Sequence, residues 1–254
     1  MIIDDSESVN IPTPTGPMRC MISRPVAPGR YPGIVLFSEI FQITGPIKRT
    51  AAAVASNGFV VLTPEIYHEY EPIGTVLPYD QSGTKRGNEL KTTKPLQNYD
   101  SDCAAALNFL KDYEHSTGIT GAMGLCIGGH LAFRAAMNPS VRAAACFYAT
   151  DIHTGSLGFG MHDNSLKRIP EIEGELLMVW GRQDPHVPRE GRTTVYSALS
   201  DNDRNFQWLE LNAAHAFLRD EGPRHDAVAA RICFDLAFEL FNRRLKVPNQ
   251  AQLQ

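Results

Sequence analysis

The stretch Ile119-Thr120-Gly121-Ala122-Met123-Gly124-Leu125-Cys126-Ile127-Gly128-Gly129-His130-Leu131-Ala132-Phe133 runs from an apolar segment through Gly-x-Cys-x-Gly-Gly into a helical pattern of small and apolar residues. It predicts a strand, a sharp turn and a helix. Gly124 and Gly128 flank the turn, where larger side chains would clash with the strand and the helix. This is typical of a nucleophile elbow with Cys126 at its apex, although a tight turn around a buried structural cysteine gives the same pentapeptide.

Strand and helix patterns alternate on both sides of this stretch. Apolar runs predict strands at 18–24, 33–38, 59–63, 143–148, 175–180 and 205–211, and helical stripes lie at 46–57, 99–113, 188–199 and 226–241. This alternation predicts an α/β-hydrolase-like architecture, with a mostly parallel central sheet and helices on both faces. We expect 18–24 to form an edge strand. Residues 64–97 are rich in Pro, Gly and charge and read as a long irregular connection, a type that often serves as a lid.

Length and composition limit the functional classes. The 254 residues, 43% of them hydrophobic, suit a single α/β domain, here predicted as 1–254 with a core at about 18–245 and short flexible tails. The net charge of -4, with both signs mixed, argues against a nucleic-acid stripe and a polybasic membrane patch, so a small molecule is the expected partner. The acidic N-terminus does not resemble a signal peptide, and no apolar run is long enough for a membrane span. We therefore expect a cytoplasmic protein, with a monomer preferred because no stretch forms a surplus apolar face.

The cysteines argue against disulfides and a metal centre. They are five in number, scattered, and include no Cys-x-x-Cys pair: Cys20, Cys103, Cys126, Cys146 and Cys233. We expect no metal ion and no organic cofactor, and we assign the cysteines other than Cys126 to the core.

A base and an acid follow the elbow in the chain order typical of these folds. Asp184 follows the strand 175–180 and His215 follows the strand 205–211, so both lie at carboxyl ends of predicted parallel strands, on the same sheet edge as Cys126. Two alternatives stay open at this point. His186 could replace His215 as the base, and Asp151, after the strand 143–148, could replace Asp184 as the acid.

The end of the strand 33–38 supplies further candidates. Ser38-Glu39-Ile40-Phe41 occupies the position that contributes the second oxyanion N–H in hydrolases, so the backbone N–H groups of Ile40 and Ile127 would form the oxyanion hole. Glu39 would place a carboxylate close to the thiol, unless it pairs with Lys48 or Arg49 instead. Tyr148 lies at a strand end and would line the pocket or pack in the core.

Four motifs together resemble the dienelactone hydrolase (carboxymethylenebutenolidase) family from about Ile22 to Arg244. They are Gly-Leu-Cys-Ile-Gly-Gly, Ser-Glu-Ile-Phe, Gly-Arg-Gln-Asp-Pro-His-Val-Pro and Ala-His-Ala-Phe-Leu-Arg. The resemblance implies that Glu39 holds or deprotonates the Cys126 thiol and that two arginines bind a substrate carboxylate. Arg219 matches one of these arginines. Arg86 is the nearest candidate for the other, although the residues around it do not match the family pattern.

These observations predict a carboxylic ester hydrolase that opens a small, anionic lactone or enol ester through a Cys126 acyl-enzyme, with His215 and Asp184. Three alternatives remain. The same triad could serve a broader carboxylesterase or thioesterase, the fold could be a non-catalytic binding protein, or Cys126 could be a redox-sensing thiol.

Overall fold

The computed structural model of the chain describes residues 1–246. The sheet consists of β1 (Ile3–Thr13), β2 (Gly16–Pro25), β3 (Tyr31–Phe37), β4 (Val60–Pro64), β5 (Ser116–Leu125), β6 (Val141–Phe147), β7 (Glu175–Gly181) and β8 (Phe206–Leu211). The helices are α1 (Gly45–Ser56), α2 (Gln81–Thr93), α3 (Leu96–Asp112), α4 (Ile127–Ala135), α5 (Arg189–Asp201) and α6 (Ala227–Leu245), with short 3₁₀ turns at Phe159–Met161 and Ile169–Glu171.

The sheet is mostly parallel, as the alternation predicted. Its strand order is β1-β2-β4-β3-β5-β6-β7-β8. The pairs β1–β2 and β2–β4 are antiparallel, and every pair from β4–β3 to β7–β8 is parallel. The parallel strands therefore end at one edge, and the loops that follow them meet there.

Each central strand is buried on both faces, which explains the continuous apolar runs in the sequence. Along β3, Val35 and Phe37 pack on the side of α3, α4 and α5, whereas Ile34 and Leu36 pack on the side of α1 and α6. The same period of two recurs in β7. Helices thus cover both faces, and the predicted α/β-hydrolase fold is confirmed.

The N-terminal residues correct two expectations. Residues 3–13 form β1 rather than a flexible tail, and β1 pairs with β2 over nearly its whole length. The segment 18–24 is consequently the second strand of the sheet and not its edge. Polar residues alternate along β1, so its sequence lacks the apolar run of a core strand. The expected C-terminal tail falls on residues 247–254, which lie outside the described residues.

The region 64–97 also differs from its prediction, because it contains the helix α2. Its sequence, QSGTKRGNELKTT, includes two glycines and little apolar character, so the helical stripe is hard to detect. The glycines allow close packing: a Cβ at Gly83 would overlap the carbonyl oxygen of Pro78, and one at Gly87 would lie 2.7 Å from that of Ile40. Within residues 1–246, no helix combines the length and the apolar character needed to cross a bilayer.

Candidate active site

The elbow is built as the sequence predicted. β5 ends at Leu125 and α4 begins at Ile127, so Cys126 alone makes the turn, with φ 59° and ψ −122°. This is a strained conformation for a residue with a side chain. A Cβ at Gly124 would overlap the carbonyl oxygen of Gly128, and one at Gly128 would overlap those of Phe37 and Ser38. Glycine is therefore required on both sides of Cys126.

His215 links the elbow to Asp184. The Nδ1 of His215 lies 2.6 Å from Oδ2 of Asp184, in a buried hydrogen bond. The other oxygen of Asp184 accepts a hydrogen bond from the backbone N–H of His186, at 2.8 Å. These contacts fix the carboxylate and leave Nε2 as the nitrogen of His215 that is available to Cys126, which lines the same cavity. The structure thus brings Cys126, His215 and Asp184 together at the cavity.

The charge on His215 is strongly stabilised. Burial by itself lowers the pKa of this imidazole, but the interactions with Cys126 and Asp184 raise the pKa to about 10. The arrangement therefore favours the protonated form of His215.

The alternative base, His186, and the alternative acid, Asp151, both lie outside the hydrogen bond between His215 and Asp184. The ring of His186 lies 4.6 Å from that of His215, in an edge-to-face contact on the cavity wall. Asp151 accepts hydrogen bonds from Lys91 Nζ at 3.0 and 3.1 Å, and from the Thr150 hydroxyl. The carboxylate that bonds His215 is that of Asp184.

Tyr148 packs against the ring of His215 in the core and does not line the cavity. Its ring is fully buried and packs edge-to-face on His215, with centroids 5.1 Å apart, and on Phe217. The expectation that Tyr148 binds substrate is therefore corrected. A side chain at a strand end can point to either side of the sheet edge, and here it points into the core. Trp180 is likewise a core residue.

Glu39 lies next to Arg219 in the wall of the site. Its Oε2 is 3.6 Å from Nη1 of Arg219 and has no hydrogen-bond partner within residues 1–246. Burial raises the pKa of Glu39, against the opposing effects of Arg219 and His215. Arg219 is held by a hydrogen bond to the Glu221 carbonyl and by the ring of Tyr79, 4.2 Å from its Cζ atom. The alternative partner, Arg49, pairs with Asp220 and Glu221 instead.

The expected oxyanion donors are free to act. Within residues 1–246, the backbone N–H of Ile40 makes no backbone hydrogen bond. Ile127 is the first residue of α4, where a backbone N–H has no partner inside the helix. Both residues flank the elbow, and Ile40 lines the cavity beside Cys126.

A cavity of about 250 Å³ opens onto Cys126, His215, Glu39 and Arg219. Arg86 does not line it, which corrects the expected second arginine: its guanidinium points away and pairs with Glu71 and Glu89. The lining residues that the sequence did not indicate are Thr84, Asn88 and Lys91 of α2, Thr150 after β6, and Arg224 before α6. The spacing 84, 88, 91 is one face of a helix, but this signal is visible only once α2 is recognised as a helix.

One cluster outside the cavity resembles a metal site. His68, Glu69 and Asp102 bring their ligand atoms within 4.8 Å of one another. The ammonium of Lys94 already neutralises the cluster, since Nζ lies 2.9 Å from Glu69 and also bonds Asp102 and the carbonyl of Ile66. It is a buried ion-pair network.

Comparison with known proteins identifies the family of the chain. The dienelactone hydrolase family matches residues 18–245. The chain belongs to this family. The prediction of a dienelactone hydrolase-type enzyme is thereby confirmed.

The sequences of several relatives match this dienelactone hydrolase family member over most of its length. A Saccharomyces cerevisiae protein named "Putative carboxymethylenebutenolidase" is 42% identical over 228 residues, which cover 86% of this chain and 82% of the relative. The carboxymethylenebutenolidase of Pseudomonas putida is 28% identical and covers 79% of this chain and 81% of its own length. The crystal structure of a dienelactone hydrolase-like promiscuous phosphotriesterase from metagenomic libraries has a TM-score of 0.78 and 20% identity, and the match covers 97% of this chain and 100% of that protein. This last likeness shows the fold.

Proposed function

We propose that the chain hydrolyses a small, anionic lactone or enol ester through an acyl-enzyme on Cys126, with His215 and Asp184 as base and orienting acid. The observation that carries this proposal is the strained Cys126 at the apex of a glycine elbow, in the same cavity as a His215 that Asp184 holds. The family membership and the carboxymethylenebutenolidase relatives support the same chemistry.

Acylation begins with the proton of the Cys126 thiol. The resemblance to the family implies that Glu39 accepts this proton, but the raised pKa of His215 favours His215 as the acceptor. The thiolate then forms a bond to the lactone carbonyl carbon, and the N–H groups of Ile40 and Ile127 hold the oxyanion. Loss of one such donor typically lowers the rate by about a hundredfold or more. The ring C–O bond breaks, and the departing enolate takes the proton from His215.

Glu39 and Arg219 link acylation to the binding of a substrate carboxylate. A substrate carboxylate that binds Arg219 competes with Glu39 for the same cation, 3.6 Å away. Burial raises the pKa of Glu39 and Arg219 opposes this rise in the free enzyme, so competition for Arg219 makes the carboxylate still more basic. Glu39 then stabilises the imidazolium of His215 more strongly or accepts a proton itself.

Deacylation uses His215 in its neutral form. The imidazole takes a proton from water, the hydroxide attacks the thioester, and the C–S bond breaks to return the thiolate. General-base assistance of this kind contributes roughly a hundredfold to ten-thousandfold. An enolate leaves readily from a thiolate adduct, whereas an amine does not, so we expect poor activity on peptides.

Hydrolysis of a dienelactone with a free carboxylate and of its methyl ester tests the proposal. We expect wild-type protein to prefer the acid, and Cys126→Ala to lose activity on both by at least roughly a thousandfold. Cys103→Ala, which removes another buried thiol, is the matched control and should retain activity.

The other outcomes separate the alternatives. Equal rates on acid and ester would favour a broader carboxylesterase, and activity that survives in Cys126→Ala would refute the nucleophile. A protein that turns over neither substrate, yet forms a sulfenic acid at Cys126 with peroxide, would support the redox-sensing alternative.

A further inference from the structure

The cations of the cavity wall differ in whether they have a partner. Lys91 is paired with Asp151 at 3.0 Å, and Arg219 faces Glu39 at 3.6 Å. Arg224 also lines the cavity, but within residues 1–246 its guanidinium makes no ion pair and no hydrogen bond. The wall thus carries one uncompensated positive charge, and it belongs to Arg224.

The backbone that carries Arg224 is held on both sides. Upstream, Asp220 and Glu221 accept three hydrogen bonds from Arg49 of α1, at 2.6 to 2.7 Å. Downstream, the side chain of Asp226 caps α6 by accepting from the N–H groups of Val228 and Ala229. A short, pinned loop therefore presents an unpartnered guanidinium at the cavity mouth. Such preorganisation lowers the entropic cost of binding a ligand there.

The charge of Arg224 affects the pKa of two residues of the cavity wall, Glu39 and His186. Burial raises the pKa of Glu39, and Arg224 is one of the cations that oppose this increase. Burial and His215 lower the pKa of His186, and Arg224 contributes to the same decrease. Its guanidinium is thus close enough to act on a substrate group that lies between the mouth and Cys126.

We propose that Arg224 is a specificity-determining residue that selects substrates with a carboxylate pointing toward the cavity mouth. This inference rests on the proposed ester or lactone hydrolysis and names the second cation that the sequence had assigned to Arg86. A guanidinium binds a carboxylate through two parallel N–H···O hydrogen bonds, which a lysine cannot reproduce. Arg219 lies deeper and is occupied by Glu39, so Arg224 is the cation that a solvated anion meets first.

Arg224→Gln tests the proposal on the dienelactone carboxylate and its methyl ester. We expect KM for the acid to rise about tenfold or more, with kcat for the acid and both constants for the ester changed less than about twofold. Arg224→Lys should recover part of the affinity. Arg231→Gln removes the same charge from the exposed surface of α6 and should behave like wild type.

Ionic strength gives a second readout. Because Arg224 is exposed, its attraction for the acid is screened by salt, so wild-type KM should rise with salt more steeply than that of Arg224→Gln. The proposal is refuted if Arg224→Gln and Arg231→Gln are indistinguishable, or if Arg224→Gln loses acid and ester equally.

A binding measurement keeps this test separate from catalysis. Calorimetric titration of the dienelactone carboxylate into Cys126→Ala, with and without Arg224→Gln, reports affinity in the absence of turnover. About tenfold weaker binding in the double variant supports the role of Arg224 even if wild-type protein hydrolyses neither substrate. Equal binding would overturn that role even if the hydrolase proposal holds.

Discussion

The chemistry of this chain depends on a few residues in unusual conformations at one edge of the sheet. Cys126, Asp151 and Ala216 all have positive φ, at 59°, 68° and 62°, and each lies in a loop that lines the cavity. Such strain persists only where the surrounding structure holds it, and it is concentrated at functional sites. Here Cys126 itself and Ala216, the neighbour of His215, carry this strain, and the two loops bring Cys126 and His215 to the same cavity.

The His215 imidazole provides a prediction at this scale. Removal of the thiol group in Cys126→Ala should lower the pKa of His215 from about 10 toward its ordinary value, because the interaction with Cys126 that raises this pKa is lost. NMR titration of labelled histidine measures this change. Cys146→Ala, in the interior of β6, should leave the titration unaltered. The same titration curve in wild type and Cys126→Ala would contradict the effect of Cys126 on His215.

The linked effect on stability has a definite sign. Because the folded-state pKa of His215 is raised from 6.5 to about 10, its stabilising contribution is fully present below pH 6.5 and is lost as the pH rises through about 10. The difference in the free energy of unfolding between pH 6 and pH 10 should therefore be larger in wild type than in Cys126→Ala.

At the scale of elements, α2 forms the wall that completes the cavity, and a buried lysine joins it to α3 and to the segment after β4. Lys94 lies between these helices, with its side chain wholly buried. It bonds Glu69, Asp102 of α3 and the carbonyl of Ile66 after β4, and its Nζ is 5.1 Å from the centroid of the Tyr99 ring. A single ammonium thus links three segments, which positions α2 opposite Cys126.

Lys94→Met should destabilise the protein by about 3–5 kcal/mol, because Glu69 and Asp102 would be buried without a cation. Urea denaturation followed by circular dichroism measures this loss. Lys85→Met, at an exposed position of α2, is the control and should change stability by less than about 0.5 kcal/mol. Equal stability of the two variants would mean that the network contributes little.

At the scale of the whole molecule, the sheet has one strand more than the sequence indicated. β1 adds an eighth strand at one edge, and Ile11 from β1 is buried in the same core cluster as Met18 and Cys20 of β2. The N-terminal residues therefore belong to the folded domain. The monomeric state and the cytoplasmic location stay predictions.

Ile11→Ala distinguishes a folded strand from a flexible tail. A buried isoleucine that is truncated to alanine typically costs about 2–5 kcal/mol in the free energy of unfolding, whereas a residue in a mobile tail costs almost nothing. Ile2→Ala, at a position that is 78% exposed, is the matched control. Denaturation of both variants decides the question, and identical midpoints would show that β1 contributes no packing.

The sequence by itself determined the alternation of β3 to β8 with their helices, the elbow at Cys126, and Asp184 and His215 at strand ends. These features depend on local rules: apolar runs form buried strands, and only glycine fits beside a strained turn. Tertiary structure alone decided that β1 joins the sheet, that α2 lines the cavity, that Tyr148 packs behind His215, and that Arg224 rather than Arg86 faces the site. Those outcomes depend on which charges and surfaces meet across distant segments. Arg86 and Arg224 are equally cationic in sequence, but Glu71 and Glu89 neutralise the first, whereas a loop pinned by Arg49 presents the second to the cavity.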